Sequence, residues 1–169
     1  MTTGTAVSVD EYLRTADKPN CEYIDGVLVQ KPMPTWMHSE LQYQIAYMIR
    51  TFFPRFEAMP ELTVRIDAKR YLIPDLAVQE RGTRQRPYAV TPIHLCIEIV
   101  SPEDRMSEVF AKCETYHEWG TLITWIVDPQ SRRAWEYVKG YAPEQIASDG
   151  ELRAGEIHLR VAQVFAVLD

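Results

Sequence analysis

The chain has 169 residues, of which 46% are hydrophobic and 25% are charged, proportions typical of a globular protein. The net charge of -6 excludes a surface coated with basic residues, so phosphate binding would require a local basic patch. The apolar runs are too short to span a membrane, and residues 1–7 lack the features of a signal peptide. Three scattered cysteines favour reduced thiols over disulfides. We therefore expect a single cytoplasmic domain over residues 1–169 that does not interact with membranes.

The first half of the chain predicts two helices and a hairpin. Ser8 and Glu11 have the spacing of a capping box, which predicts a short helix from about Val9 to Ala16. The dipeptide at 25–26 is Asp-Gly and predicts a β-hairpin over residues 22–29. A second, amphipathic helix ends before Pro54, and the residues of one face recur at intervals of three and four: His38, Leu41, Ile45, Met48, Ile49 and Phe52.

The second half predicts a sheet. Strand-like segments occupy residues 62–66, 70–73 and 75–78, and a loop covers residues 79–92. Residues 94–100 form the most apolar strand and the expected centre of the sheet, followed by a helix over residues 104–119. Later strands are expected at 123–127, 133–138 and 157–159, with a final helix near 161–167. This order predicts an α/β or α+β fold, with a mixed central β-sheet flanked by helices and an N-terminal β-hairpin.

A carboxylate interrupts the most apolar strand. Glu98 is surrounded by Leu95, Ile97, Ile99 and Val100. Because burying an unpaired carboxylate costs several kcal/mol, Glu98 is expected to be paired, protonated or bound to a cation. The sequence alone leaves a salt bridge to a buried lysine or arginine as an equal alternative.

Asp75 and Lys112 complete a possible site. Asp75 taken alone is more typical of a turn, and Lys112 taken alone fits a surface pair with Glu108. Together with Glu98, however, two carboxylates on neighbouring strands would repel each other unless a divalent cation lay between them. Oxygen ligands favour Mg²⁺ or Mn²⁺, and a nearby lysine could orient water or stabilise charge on a phosphate. These groups suit the hydrolysis of a phosphodiester bond.

Several short motifs carry a family resemblance. Pro74-Asp75 followed by Ile97-Glu98-Ile99-Val100-Ser101-Pro102 resembles the PD-(D/E)XK nuclease superfamily and, within it, the putative restriction endonuclease family. Further matches include residues 22–29, His38-Ser39, Lys112 four residues before Tyr116, and residues 125–129, so the resemblance covers about residues 10–139. The superfamily pattern has lysine where this chain has Val100, and Lys112 on the following helix matches the position that replaces it.

The resemblance implies a restriction-endonuclease-like fold and a Mg²⁺-dependent endodeoxyribonuclease. Asp75 and Glu98 would be the metal ligands and Lys112 a catalytic group. Glu22 matches the family's first acidic position, with an ordinary hairpin carboxylate as the alternative. His38 could contact the site from the second helix, with a local hydrogen bond at the helix N-terminus as the alternative. Ser101 could hydrogen-bond a phosphate, with a cap for the helix near Asp104 as the alternative.

The predictions about substrate and partners rest on the predicted loop over residues 79–92 and on aromatic residues that could be exposed. Arg81, Arg84 and Arg86 are candidates for DNA contact, with Lys69 and Arg70 nearby; a merely solvated loop is the alternative. A homodimer is expected; Trp36, Trp119 or Trp135 could line the contact, although core packing explains each of them equally well. Two other functions stay open: a catalytically idle scaffold that binds nucleic acid or protein, and hydrolysis of RNA or a nucleotide.

Overall fold

A computed structural model describes residues 6–14 and 20–169. The helices are α1 (Val9–Arg14), α2 (Trp36–Phe52), α3 (Met106–Trp119) and α4 (Val161–Phe165), and a short 3-10 helix follows at Ala166–Leu168. The strands are β1 (Cys21–Ile24), β2 (Val27–Gln30), β3 (Phe56–Pro60), β4 (Val64–Arg65), β5 (Arg70–Leu72), β6 (Leu76–Glu80), β7 (Leu95–Ile99), β8 (Ile123–Asp128), β9 (Arg133–Val138), β10 (Glu144–Ile146), β11 (Glu151–Ala154) and β12 (Ile157–Arg160).

The central sheet has six strands in the order β10-β9-β8-β7-β6-β3. Among the described strands of this sheet, β7 and β8 are the one parallel pair, and α3 is the crossover between them, as a parallel pair requires. A second sheet, in the order β2-β1-β5-β4, carries the N-terminal hairpin, and β11 pairs with β12. The fold is therefore the mixed α+β arrangement that the order of elements predicts.

Strand β7 divides the core because its side chains alternate between two faces. Leu95, Ile97 and Ile99 join the largest apolar cluster, which includes buried residues of α2 and α4. Cys96 and Val100 point the other way, into clusters that include Tyr116 and Cys113 of α3. Glu98 shares this second face, so the polar residues of α3 are within its reach.

Most predicted elements are present, with shifted ends. The hairpin turn is formed by Asp25 and Gly26, whose φ angles of 49° and 88° match the type that Asp-Gly favours. Ser8 Oγ accepts the Glu11 backbone N–H at 3.2 Å, as the capping box predicts. The predicted end of α1 at Ala16 lies outside the described residues. Helix α3 begins at Met106 rather than Asp104.

Three strands were not predicted. β3 follows Pro54 and ends at Pro60, two prolines that indicate breaks rather than a strand, and it occupies an edge of the sheet, where proline is tolerated. β10 and β11 are three or four residues long, too short for a clear alternation. The predicted loop over residues 79–92 also begins too early, because β6 extends to Glu80, where polar side chains face solvent. No helix of the described residues is long and apolar enough to cross a bilayer.

Candidate active site: a buried carboxylate and lysine cluster

A cleft of about 620 Å³ opens beside the N-terminal hairpin, between the start of α2 and helix α3. Its lining includes Glu22, Asp75, Glu98 and Lys112. β6 and β7 pair antiparallel with Leu76 opposite Ile97, and the same register continued by one residue brings Asp75 opposite Glu98. The topology therefore joins two carboxylates that are distant in the sequence.

Glu98 is buried, and both of its carboxylate oxygens have a polar partner. Its Oε1 accepts a hydrogen bond from the Tyr116 hydroxyl at 2.7 Å, and its Oε2 lies 3.1 Å from Lys112 Nζ. Burial raises the pKa of Glu98 to about 7; the charge of Lys112 opposes this shift, and that of Asp75 adds to it. Lys112 and Tyr116 are four residues apart on α3 and so reach Glu98 from the same helix face.

Lys112 joins two of the acidic residues. Its Nζ lies 2.7 Å from Glu22 Oε1 and 3.1 Å from Glu98 Oε2. Burial by itself would lower the pKa of Lys112, but the negative charges of Glu98 and Glu22 raise it above its usual value. Lys112 therefore pairs inside the cleft, not with Glu108 on the helix surface.

Glu22 extends from β1 into the cleft, so it is not a solvent-exposed hairpin carboxylate. Besides Lys112, its Oε1 accepts the backbone N–H of Ile73 at 2.8 Å. The side chain is almost completely buried. Glu22 thus ties the hairpin sheet to the chain segment that leads into Asp75.

Asp75 has an ion pair that the sequence did not indicate. Lys31, just after β2, brings its Nζ to 2.8 Å from Asp75 Oδ1, and His38 Nε2 lies 3.3 Å from the same oxygen. Oδ2 accepts the backbone N–H of Ile99 at 2.7 Å. Burial opposes ionisation, but the His38 hydrogen bond and the Lys31 charge together lower the pKa of Asp75 below its usual value. His38 therefore faces the site, and its other ring nitrogen has no hydrogen-bond partner among the described residues.

Glu61 and Gln42 also belong to the cluster and were missed. Glu61 Oε2 lies 2.9 Å from Lys31 Nζ, while the Gln42 amide donates to Glu61 Oε1 at 3.0 Å and to the Asp75 carbonyl at 2.8 Å. Glu61 adopts a φ of 53°, which is uncommon for a residue with a side chain. No periodic pattern marks Lys31, Gln42 or Glu61, because they come from an inter-element segment, a polar helix face and a turn.

Ser101 lines the cleft but does not cap α3. Its backbone N–H donates to Asp104 Oδ2 at 2.7 Å, and the N-cap residue of α3 is Arg105. Arg70 also lines the cleft and pairs with Asp67. Arg81, Arg84 and Arg86 are exposed and are not among the residues that line it.

The tryptophans named above as dimer contacts differ in exposure. Trp36 is 80% exposed, whereas Trp119 and Trp135 are partly buried against the core. Trp36 is therefore the only one of these three whose side chain is largely free for contact with a partner.

The cleft carries a surplus of negative charge. In the innermost cluster the four carboxylates of Glu22, Glu61, Asp75 and Glu98 share two lysines: Lys31 pairs with Glu61 and Asp75, and Lys112 pairs with Glu22 and Glu98. No three histidine, cysteine, aspartate or glutamate side chains of residues 6–14 and 20–169 form a ready metal site. A cation here would have at most two of these side chains as ligands, which is the usual number for Mg²⁺.

Comparison with known proteins identifies relatives. Residues 9–166 match the family model Uma2, described as "Putative restriction endonuclease". The crystal structure of a putative nuclease belonging to DUF820, from Anabaena variabilis, is 24% identical and has a TM-score of 0.83. The match covers 96% of this chain and 99% of that one, and at this identity it shows a shared fold. No curated protein matches the sequence.

Proposed function

Because the chain belongs to the Uma2 family of putative restriction endonucleases, we propose that it is a metal-dependent endonuclease that hydrolyses phosphodiester bonds in DNA. Membership in the family supports a nuclease function in general. Metal dependence, DNA as substrate and the role of each residue are our proposals. They rest on the cluster in the cleft.

One observation carries the proposal: two buried carboxylates from neighbouring strands, with more negative than positive side chains around them. A fold held together only by ion pairs gains little from such a surplus, since each uncompensated buried charge costs several kcal/mol. Burial is the main cause of the raised pKa of Glu98, and the negative charges of Asp75 and Glu22 add to it. A divalent cation would neutralise the surplus.

The donor set fits Mg²⁺ or Mn²⁺, because Asp75 and Glu98 offer only oxygen atoms. These two residues would hold the ion, which would compete with Lys31 and Lys112 for the same oxygens. A bound ion of this kind supplies Lewis-acid chemistry and lowers the pKa of water. The backbone N–H of Ile99 and the Tyr116 hydroxyl orient the two carboxylates.

We assign the remaining residues according to their contacts. Lys112, between Glu22 and Glu98, would neutralise charge that builds on the phosphate during hydrolysis. Glu22 would hold Lys112 in place as an accessory carboxylate. His38 and Gln42 would fix Asp75, through its side chain and its carbonyl respectively.

A second candidate is a catalytically idle scaffold that binds nucleic acid or protein. It is favoured by the two lysines, which already occupy the positions beside Asp75 and Glu98. The two candidates differ in metal affinity: an idle scaffold held by these ion pairs has no need of Mg²⁺. Calorimetric titration with Mn²⁺ therefore separates them.

We also propose that two copies act together in the cytoplasm. Cutting both strands of a duplex is achieved most simply by two active sites, and a homodimer has one in each copy. The three cysteines, Cys21, Cys96 and Cys113, are free and buried, as suits a reducing compartment.

Incubation with supercoiled plasmid and Mg²⁺ or Mn²⁺ tests the activity. We expect nicking by the wild type that EDTA abolishes and that Glu98→Gln removes. The matched control is Glu144→Gln, which removes an exposed carboxylate on β10 and should cut like the wild type. Equal cutting by Glu98→Gln would contradict the assignment of this cleft. Mn²⁺ binding without cleavage of plasmid, RNA or nucleotides would contradict the nuclease proposal.

A further inference from the structure

A second groove lies between α2 and the edge strand β3. Its volume is about 790 Å³. The lining includes Tyr43, Tyr47, Arg50, Arg81 and Arg84, and we name it the Tyr–Arg groove. None of these residues takes part in the cluster described above.

Two exposed tyrosines dominate one wall. Tyr43 is 69% exposed and Tyr47 is 51% exposed, and their rings stack with centroids 6.2 Å apart and planes inclined by 18°. Positions 43, 47 and 50 lie on one helix face, so Arg50 continues the same row. Large aromatic side chains left in solvent on a rigid helix are a common feature of binding surfaces.

Three arginines give the groove a charge opposite to that of the cleft. Arg50, Arg81 and Arg84 have no ion-pair partner in the part of the chain that the structure describes, and Glu57 is the one acidic residue of the lining. The cleft, by contrast, is lined by eight acidic and three basic side chains among the described residues. Arg81 is also anchored, because its Nε donates to the Pro54 carbonyl at 2.7 Å.

The groove and the cleft are adjacent. Pro60 lines the groove and the next residue, Glu61, lines the cleft. On α2, Tyr43 follows Gln42, whose amide contacts Glu61 and the Asp75 carbonyl. The linings of the groove and the cleft therefore meet along the chain at Pro60 and Glu61.

We propose that the Tyr–Arg groove binds an unpaired strand of DNA, with bases stacked on Tyr43 and Tyr47 and phosphates held by the three arginines. Stacking on exposed aromatic rings combined with basic side chains is how proteins bind single strands with little sequence preference. The bases of a duplex are already stacked on each other, so a duplex would leave the tyrosines unused. The choice of DNA over RNA rests on the proposed function.

A second copy of the chain fits this surface less well. A two-fold contact would place the same patch on both partners, so the arginines of one copy would face those of the other. Like charges across an interface oppose association. The phosphates of a nucleic acid complement these charges instead.

Fluorescence anisotropy with a labelled oligothymidylate, in EDTA to prevent cleavage, tests the groove. We expect Tyr43→Ala and Tyr47→Ala each to weaken binding by about tenfold. Arg84→Gln should reduce the slope of log K against log salt concentration by roughly 0.7. The matched controls are Tyr141→Ala, which removes a side chain that is 74% exposed, and Arg133→Gln on β9; both should bind like the wild type.

Several results would overturn the proposal. These are equal affinity for the matching duplex, equal losses in the control variants, or tighter binding of oligouridylate, which would assign the groove to RNA. Dissociation of a dimer by Tyr43→Ala, measured by light scattering, would make the groove a homodimer contact. This test can fail independently of the nuclease proposal. Glu98→Gln should keep its affinity for oligothymidylate in EDTA, whereas the groove variants should still bind Mn²⁺ in calorimetric titration.

Discussion

Replacing Glu98 by glutamine should make the metal-free protein more stable at neutral and alkaline pH. Glutamine has nearly the same shape as a protonated glutamate and carries no charge. In the wild type, burial raises the pKa of Glu98 to about 7 from the ordinary value of 4.5. The folded state therefore binds a proton that the unfolded state releases, and the stability contributed by this residue is lost as pH rises between these two values.

The magnitude follows from the size of the shift. Each pKa unit corresponds to about 1.4 kcal/mol, so full ionisation of Glu98 costs the folded state about 3 kcal/mol at pH 8. At pH 5 the cost is only about 1 kcal/mol, because the folded-state carboxyl is still protonated and this pH lies only slightly above the unfolded-state pKa of 4.5. The advantage of Glu98→Gln should therefore grow by roughly 2 kcal/mol over this interval.

Urea denaturation in EDTA, at pH values from 5 to 8, measures the difference. The free energies of unfolding of wild type and Glu98→Gln should diverge with increasing pH, while Glu144→Gln should follow the wild type throughout. A constant difference between wild type and Glu98→Gln would refute the reasoning. It would mean that Lys112 and Tyr116 already stabilise an ionised Glu98 in the folded protein.

Three further predictions concern the same cluster. Addition of Mg²⁺ should raise the melting temperature of the wild type but not that of Glu98→Gln, measured by differential scanning fluorimetry; an equal rise would place the ion elsewhere. Lys112→Met should reduce plasmid nicking by at least 100-fold while Mn²⁺ still binds in calorimetry, and unchanged nicking would remove Lys112 from the mechanism. Asp75→Asn should lose about 2 kcal/mol or more of stability at pH 7, because the buried Lys31 loses the closer of its two carboxylate partners and keeps only Glu61; the loss should shrink as pH falls below the usual aspartate pKa of 3.8, and a pH-independent loss would contradict the ion-pair explanation.

The parts of the site that lie on regular elements could be predicted from sequence. Glu98 is recognisable because a carboxylate interrupts an apolar strand. Lys112 taken alone fits a surface pair with Glu108, and the family resemblance assigns it to the site. In the structure the two side chains are in contact. Alternation along β7 turns Glu98 toward α3, and the four-residue spacing on α3 places Lys112 and Tyr116 on the helix face that meets it.

The residues outside regular elements could not be found in this way. Lys31 follows the hairpin and Glu61 occupies a turn, so neither belongs to a periodic pattern. Their convergence on Asp75 depends on how the hairpin sheet packs against the central sheet, which is a long-range property. The same holds for β3, whose prolines indicate a break until the neighbouring β6 supplies a partner.

The net charge of -6 conceals an uneven distribution that has consequences for how a nuclease of this kind works. Without a cation, the acidic cleft repels the phosphates on which it would act, and attraction must come from another surface. The Tyr–Arg groove has the required sign and adjoins the cleft at Pro60 and Glu61. Metal binding and strand binding should therefore cooperate, because an ion that neutralises Asp75 and Glu98 removes the repulsion for a strand already held by the arginines. Addition of Ca²⁺ in place of Mg²⁺ should tighten oligothymidylate binding to the wild type more than to Glu98→Gln, and equal tightening would show that the cleft and the groove act independently.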